Sequence, residues 1–269
     1  MKKNLCLLLL ICVVGTVGAQ EYKKIDDCSM LFIYNYQFYT EHKNPASVKS
    51  CEMLLEVGRR YSKFYSSNIA YADSLYMLYA NESPQVAVAK IFPQISGLFK
   101  HYFCDYYIFK NYPASETTVF LRRTYKVEEK LQMEWVIDHT AKTVILGLNC
   151  KKATCRFAGR SYEAWFTPDI PVNDGPYKFS GLPGLIVKVQ DSENEHIFTL
   201  QEIKKGNNKA MYFPENDYIT TTAQGFTKTF ETHKAERIKN LESVTTDNPT
   251  AIANAIARIQ RENNFIEQY

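Results

Sequence analysis

Beyond its first 19 residues this sequence has no apolar run approaching the roughly 20 residues that a membrane-spanning helix needs. It contains no His-Glu-x-x-His, no Gly-x-Ser-x-Gly and no Gly-Lys-Ser/Thr. The zinc-protease, α/β-hydrolase and phosphate-loop readings therefore lack their motifs. Its five histidines are His42, His101, His139, His196 and His233, and no two stand three or four apart as a helical metal pair would. Each is expected at the surface or in a hairpin. An excess of one charge is missing too. The formal net charge is +3, with lysines and arginines spread along the chain, which argues against a nucleic-acid partner. No repeat, low-complexity block or linker divides the sequence. No metal and no cofactor are expected.

What is present begins with "MKKNLCLLLLICVVGTVGAQ". Two lysines precede an apolar run from Leu5 to Val14, and small residues end at Ala19. That is the pattern of a secretory signal peptide, residues 1–19, with cleavage between Ala19 and Gln20. The expectation is an exported protein, periplasmic, outer-membrane-associated or extracellular, with residues 20–269 forming one domain. Past the signal remain Cys28, Cys51, Cys104, Cys150 and Cys155. Five is odd, so at least one stays free or pairs between chains. Cys150 and Cys155 are poorly spaced for each other, because five residues of regular strand span about 17 Å and end on opposite faces. The remaining pairings stay open.

The hydrophobic share is 45%, and 19 Tyr and 16 Phe favour strands. Residues 20–27 read as polar and loose. "CSMLFIYNYQFYTEH" follows, with Met30, Phe32, Tyr34, Tyr36 and Phe38 on one face. "SCEMLLEVG" turns Cys51, Met53, Leu55 and Val57 inward and Glu52 and Glu56 outward. Ile69 to about Leu98 reads as a helical section cut by Pro84 and Pro93. Strands return from "FCDYYIFKNY" to "HIFTLQEIKK", with a hairpin tip at Gly159-Arg160. Helices close the chain, capped from Thr220 to Thr222 and opened at Pro249. The expected class is α+β: a large antiparallel sheet with a proline-broken helical insert and C-terminal helices.

The densest punctuation is "KFSGLPGLIVKV". Leu182, Pro183 and Gly184 carry the signature of a type II turn, and the β-branched run after them is a strand, not the helix a phosphate cradle requires. Around this loop gather Tyr162, Trp165, Phe166, Tyr177 and Phe179. They are the expected ligand-binding residues if one strand face lines an apolar pocket, and core residues otherwise. Asp169 and Asp174 beside them form either a carboxylate pair or ordinary turn chemistry.

The run "ILGLNCKKATCRFAGRSYEAWFTPDIPVNDGPYKFSGLPGLIVKVQD", with "LLEVGRRYSKFYS" and "FKNYP" upstream, resembles the GLPGLI family of Bacteroidota exported proteins. The resemblance implies export in such a bacterium and carries over no catalytic residue. The order of strands and insert also resembles the periplasmic lipoprotein-carrier class, which implies a curved, half-open barrel holding apolar ligands. Asp73-Ser74-Leu75 resembles the O-glycosylation sequence of these bacteria, which makes Ser74 the expected acceptor. The function expected is a non-catalytic carrier or chaperone-like module for an apolar small molecule, lipid or peptide. The alternatives are an accessory subunit on an outer-membrane transport or secretion protein, and a hydrolase with an unfamiliar site.

Overall fold

The structure, a computed structural model, describes residues 21–269 except 97, 99–103, 105, 112–115, 122–123, 132, 216, 244–248, 262–263, 265 and 268–269. The stretch read as a signal peptide, with its Ala19–Gln20 junction, and His101 lie outside the described residues. In chain order come β1 (Glu21–Tyr39), β2 (Val48–Val57), β3 (Tyr61–Ser66), α1 (Ser67–Leu78) and α2 (Pro84–Ile95). Then follow β4 (Tyr106–Asn111), β5 (Glu116–Leu121), β6 (Tyr125–Lys130), β7 (Val136–Ile145), β8 (Leu148–Phe157) and β9 (Arg160–Thr167). The chain ends with β10 (Leu185–Asp191), β11 (His196–Glu215), β12 (Ile219–Thr221), α3 (Ala223–Glu242) and α4 (Pro249–Arg261). All these strands share one open sheet, ordered β12-β6-β5-β4-β3-β2-β1-β11-β10-β9-β8-β7.

Strand makes up 51% of the chain and helix 27%, so the class is β-rich and not α+β as expected. The sheet is also mixed, because β12 runs parallel to β6. The difference arises where strands continue without alternation. Residues 21–27, expected to be loose, are the first third of β1 and pair with the polar end of β11, from Glu21 opposite Glu215 to Asp27 opposite Ala210. Two long strands satisfy each other's backbone there, which no local pattern announces. Register shifts at Lys24/Asp26, Cys28/Met30 and Ile33/Tyr34 bend this central pair.

Alternation does decide which side chains meet. Phe32, Tyr34, Tyr36 and Phe38 of β1 are buried on one face beside Met53, Leu55 and Val57 of β2, as expected. Phe64, Tyr106 and Ile108 continue this principal core across β3 and β4. The opposite face carries a smaller cluster of Tyr65, Tyr107, Phe109 and Phe120, covered by Ile69 of α1. Glu56, expected to face solvent, is buried on that second face and accepts the Tyr65 hydroxyl at 2.9 Å. Lys63 lies there too, 4.2 Å from the centre of the Tyr65 ring, and its burial holds the amine below its ordinary pKa.

The helices start where the sequence says. Ser66 accepts the Ile69 amide and caps α1, Pro84 opens α2, and Thr222 accepts the Gly225 amide at the start of α3. Pro93 was expected to cut the helix but stays inside α2, within its last turn. The β8–β9 hairpin turns on Ala158 and Gly159, both at positive φ, one residue earlier than expected. That shift makes Arg160 the first residue of β9, where it is buried.

Candidate functional site

The β9–β10 connection, residues 168–184, does not stay at the rim of the sheet. Asp174 through Phe179 are all buried, although connecting segments ordinarily run over the surface. The loop crosses the principal face toward β4 and β6. Such a path takes backbone polar groups out of water, and the sequence supplies partners for them. Lys110 of β4 is the anchor. Its ammonium donates to the Gly175 carbonyl at 2.7 Å and the Tyr177 carbonyl at 3.0 Å, and pairs with the Asp174 carboxylate. Three donors meet three acceptors. Burial pulls the Lys110 amine below its ordinary pKa, against the Asp174 charge that raises it.

The second anchor is Lys178, which reaches Glu129 of β6 and Glu267, each at 2.6 Å. Tyr177 donates its hydroxyl to the same Glu267 oxygen at 2.7 Å. Tyr177 itself has φ 55°, a left-handed conformation that a bulky residue rarely adopts. In that conformation its ring packs edge-on against Tyr106 at 5.6 Å and stacks near Phe198 at 6.3 Å. Strain of this kind, about 1–3 kcal/mol, persists only where the surroundings hold it in place.

Phe179 centres the other half of the loop. Its ring lies 4.7 Å from Tyr162, 5.8 Å from Phe157 and 6.3 Å from Trp135. Trp135 also donates its indole N–H to the Ser180 carbonyl at 2.8 Å. At the exit, the Gly184 amide bonds to the Leu182 carbonyl, closing a three-residue turn about Pro183. The Leu185 amide goes to Ile170, so the four-residue bond of the expected type II turn is not the one made. Gly184 is at φ 138°, and a Cβ there would overlap the Thr167 carbonyl.

Asn264, Ile266 and Glu267 complete the assembly. Asn264 is fully buried, accepts from the Arg160 guanidinium and donates to the Tyr39 carbonyl at 3.0 Å. The Ile266 carbonyl accepts the Tyr162 hydroxyl at 2.8 Å, and Glu267 joins Lys178 and Tyr177 as above. Beneath Asn264, Arg160 pairs with Asp191 at 2.8 Å. His196 is also buried, its Nδ1 2.8 Å from the Tyr36 hydroxyl. Desolvation, helped by the Arg160 charge, depresses its pKa to about 3, so the ring is neutral.

Of the residues expected at the site, Tyr162, Phe166, Tyr177 and Phe179 enter the principal core together, whereas Trp165 is half-buried and bonds to Glu163. Asp169 and Asp174 do not form a pair: Asp169 is exposed and accepts from Asn149, and Asp174 is buried on Lys110. His42, His139 and His233 are exposed as expected, and His196 is not. Ser74 is exposed on α1 with its hydroxyl on the Tyr71 carbonyl, while the neighbouring Asp73 is buried and accepts from Tyr107.

Lys110, Glu129, Trp135, Arg160, Asn264 and Glu267 were missed. For two of them a signal existed, since Lys110 is in phase with Tyr106 and Ile108, and Glu129 with Val127. One group of metal-ligand type occurs among the described residues, His42 with Glu193 and Glu195, whose ligand atoms lie within 4.8 Å of one another. Glu195 also accepts the Lys43 amide and lies 3.9 Å from Arg160, so its charge is already answered by the protein.

A family model described as "Protein of unknown function (Porph_ging)" matches residues 111–188. That stretch runs from the end of β4 into β10 and contains the whole crossing loop. No curated protein matches. Two structures of PNGF-II, in the P21 and C2 space groups, are similar at 13% and 14% identity with TM-scores of 0.48 and 0.47. Each comparison covers 75% of this chain and 32% of the other, so the chain spans about a third of their length.

Proposed function

We propose that this chain is an exported, non-catalytic binding module that receives an extended peptide on the principal face of its sheet. The observation carrying this reading is the seating of Asn264, Ile266 and Glu267. They are held by one main-chain acceptor, two polar side chains and an apolar contact of Ile266, which is how a groove holds a peptide. The segment acts as an internal occupant of that groove. The N-terminal pattern supports export, and Gly181 to Ile186, with the flanking run, supports assignment to the GLPGLI family of Bacteroidota.

A second reading, a subunit docking on an outer-membrane partner, is favoured by Tyr71, Met77, Leu78, Val86, Val88 and Phe92, apolar side chains exposed on α1 and α2.

The test compares the full chain with a chain ending at Arg261, against a labelled peptide of residues 262–269. The shortened chain should bind the peptide. The full chain should bind it at least tenfold more weakly, because its own segment competes at millimolar effective concentration. A shortened chain that melts cooperatively yet ignores the peptide would sink this reading.

A further inference from the structure

β3 leaves the sheet early, and its departure brings two cysteines together. Met53 of β2 stands opposite Ser66, the last residue of β3. On the other side of β3, Tyr65 pairs with Tyr107, which puts Tyr106 beside Ser66 in the same row. The chain then turns away into α1. Two residues before Met53, β2 carries Cys51 with no β3 partner, and two residues before Tyr106 the chain carries Cys104. Both belong to the principal core, Cys104 buried and Cys51 half-buried at its edge. The two thiols are within hydrogen-bonding contact.

We infer that Cys51 and Cys104 form a disulfide that ties the two ends of the gap left by β3. The register carries the inference, and the thiol contact agrees with it independently. Of the other described cysteines, Cys28 and Cys150 donate to the Met30 and Leu148 carbonyls, as Cys51 also does to the Glu52 carbonyl at 3.7 Å. Reactivity follows the same division. The bond from Cys104 lowers the Cys51 thiol, whereas burial raises Cys28 to about 11 and Cys155 to about 12.

The oxidant required is a disulfide, either small or carried by a thiol oxidoreductase. Cys51 thiolate attacks one of its sulfurs, forming a mixed disulfide and releasing the first thiol. Cys104 thiolate then attacks the Cys51 sulfur and expels the second. Two S–H bonds are lost from the protein, one S–S bond forms, and the donor disulfide becomes two thiols. The product closes a loop of about 50 residues around the α1–α2 excursion. It also fixes the approach to β4, where Tyr106 supports the strained Tyr177.

The test takes the full chain with reduced thiols, exposes it folded to oxidised glutathione, and traps it with iodoacetamide in denaturant. It is then digested without reductant for mass spectrometry. One cross-linked peptide pair holding Cys51 and Cys104 is expected, with Cys6, Cys12, Cys28, Cys150 and Cys155 alkylated. Alkylation or separate glutathionylation of Cys51 and Cys104, or a link from Cys51 to another cysteine, would overturn the inference. Adding reductant should lower the melting temperature of the oxidised wild type and leave Cys51→Ser and Cys104→Ser unmoved. Equal shifts in all three would overturn it too.

Discussion

At Gly184 two requirements coincide, a backbone at φ 138° and contact with the Thr167 carbonyl closer than any Cβ allows. Either alone favours glycine, and together they exclude every side chain unless β9 and the loop move apart. Gly184→Val adds branched bulk to a backbone that branched residues avoid, so destabilisation of about 1–3 kcal/mol is expected from strain alone. Pro183→Ala should cost about 1 kcal/mol or less, chiefly by loosening the unfolded chain. Thermal melts of the two variants check the ranking. A Gly184→Val melting temperature equal to wild type would mean that the turn closes another way. Gly181, at φ 91° with open space where a Cβ would go, is the contrasting position, strained by substitution but not crowded.

At the scale of the element, the loop depends on Lys110 reaching it from another strand. A charge buried to this degree is costly unless it is paired, and unpairing it is worse than never having placed it there. Lys110→Met should therefore cost about 3–5 kcal/mol, because Asp174 stays buried without its cation. Adding Asp174→Asn should recover part of that loss, since a neutral amide still accepts the Gly175 amide. Urea titrations around this double-mutant cycle measure the coupling, and additive single losses would show that the two charges do not act as a pair. The same element explains what the sequence revealed and what it hid. Local alternation was enough to place Phe32, Tyr34, Tyr36 and Phe38 with Met53, Leu55 and Val57 on one face, and proline with glycine was enough to mark the turn. It was not enough to send residues 174–179 across the sheet, because the partners that make burial tolerable, Lys110, Glu129 and Glu267, lie on β4, on β6 and near the end of the chain. The misjudged class has a related cause: the polar halves of β1 and β11 are strands because they have each other.

For the whole molecule, the buried ionisable groups make stability a function of pH, and His196 gives that dependence a sign. It links β11 to Tyr36 of β1 and lies beside Arg160 and Asn264, so it senses the assembly of both halves of the sheet. Its pKa is about 3 in the folded chain against an ordinary 6.5. Between those values the unfolded chain binds a proton that the folded chain refuses. Folding stability is therefore complete above about pH 6.5 and falls as the pH drops toward 3, by up to about 1.4 kcal/mol per pH unit from this group. Carboxylates held low, such as Glu195 and Asp26, add losses in the same direction at lower pH. They are common to wild type and variant, which allows the histidine to be isolated. His196→Gln keeps an acceptor for the Tyr36 hydroxyl and cannot take up the proton. Urea unfolding at pH 7, 6 and 5 should give wild type a steeper slope of stability against pH, the difference growing from about a quarter of a proton at pH 7 to nearly one at pH 5. Parallel slopes would mean that His196 is protonated in the folded chain, and that the core around Asn264 is more open to water than its burial implies.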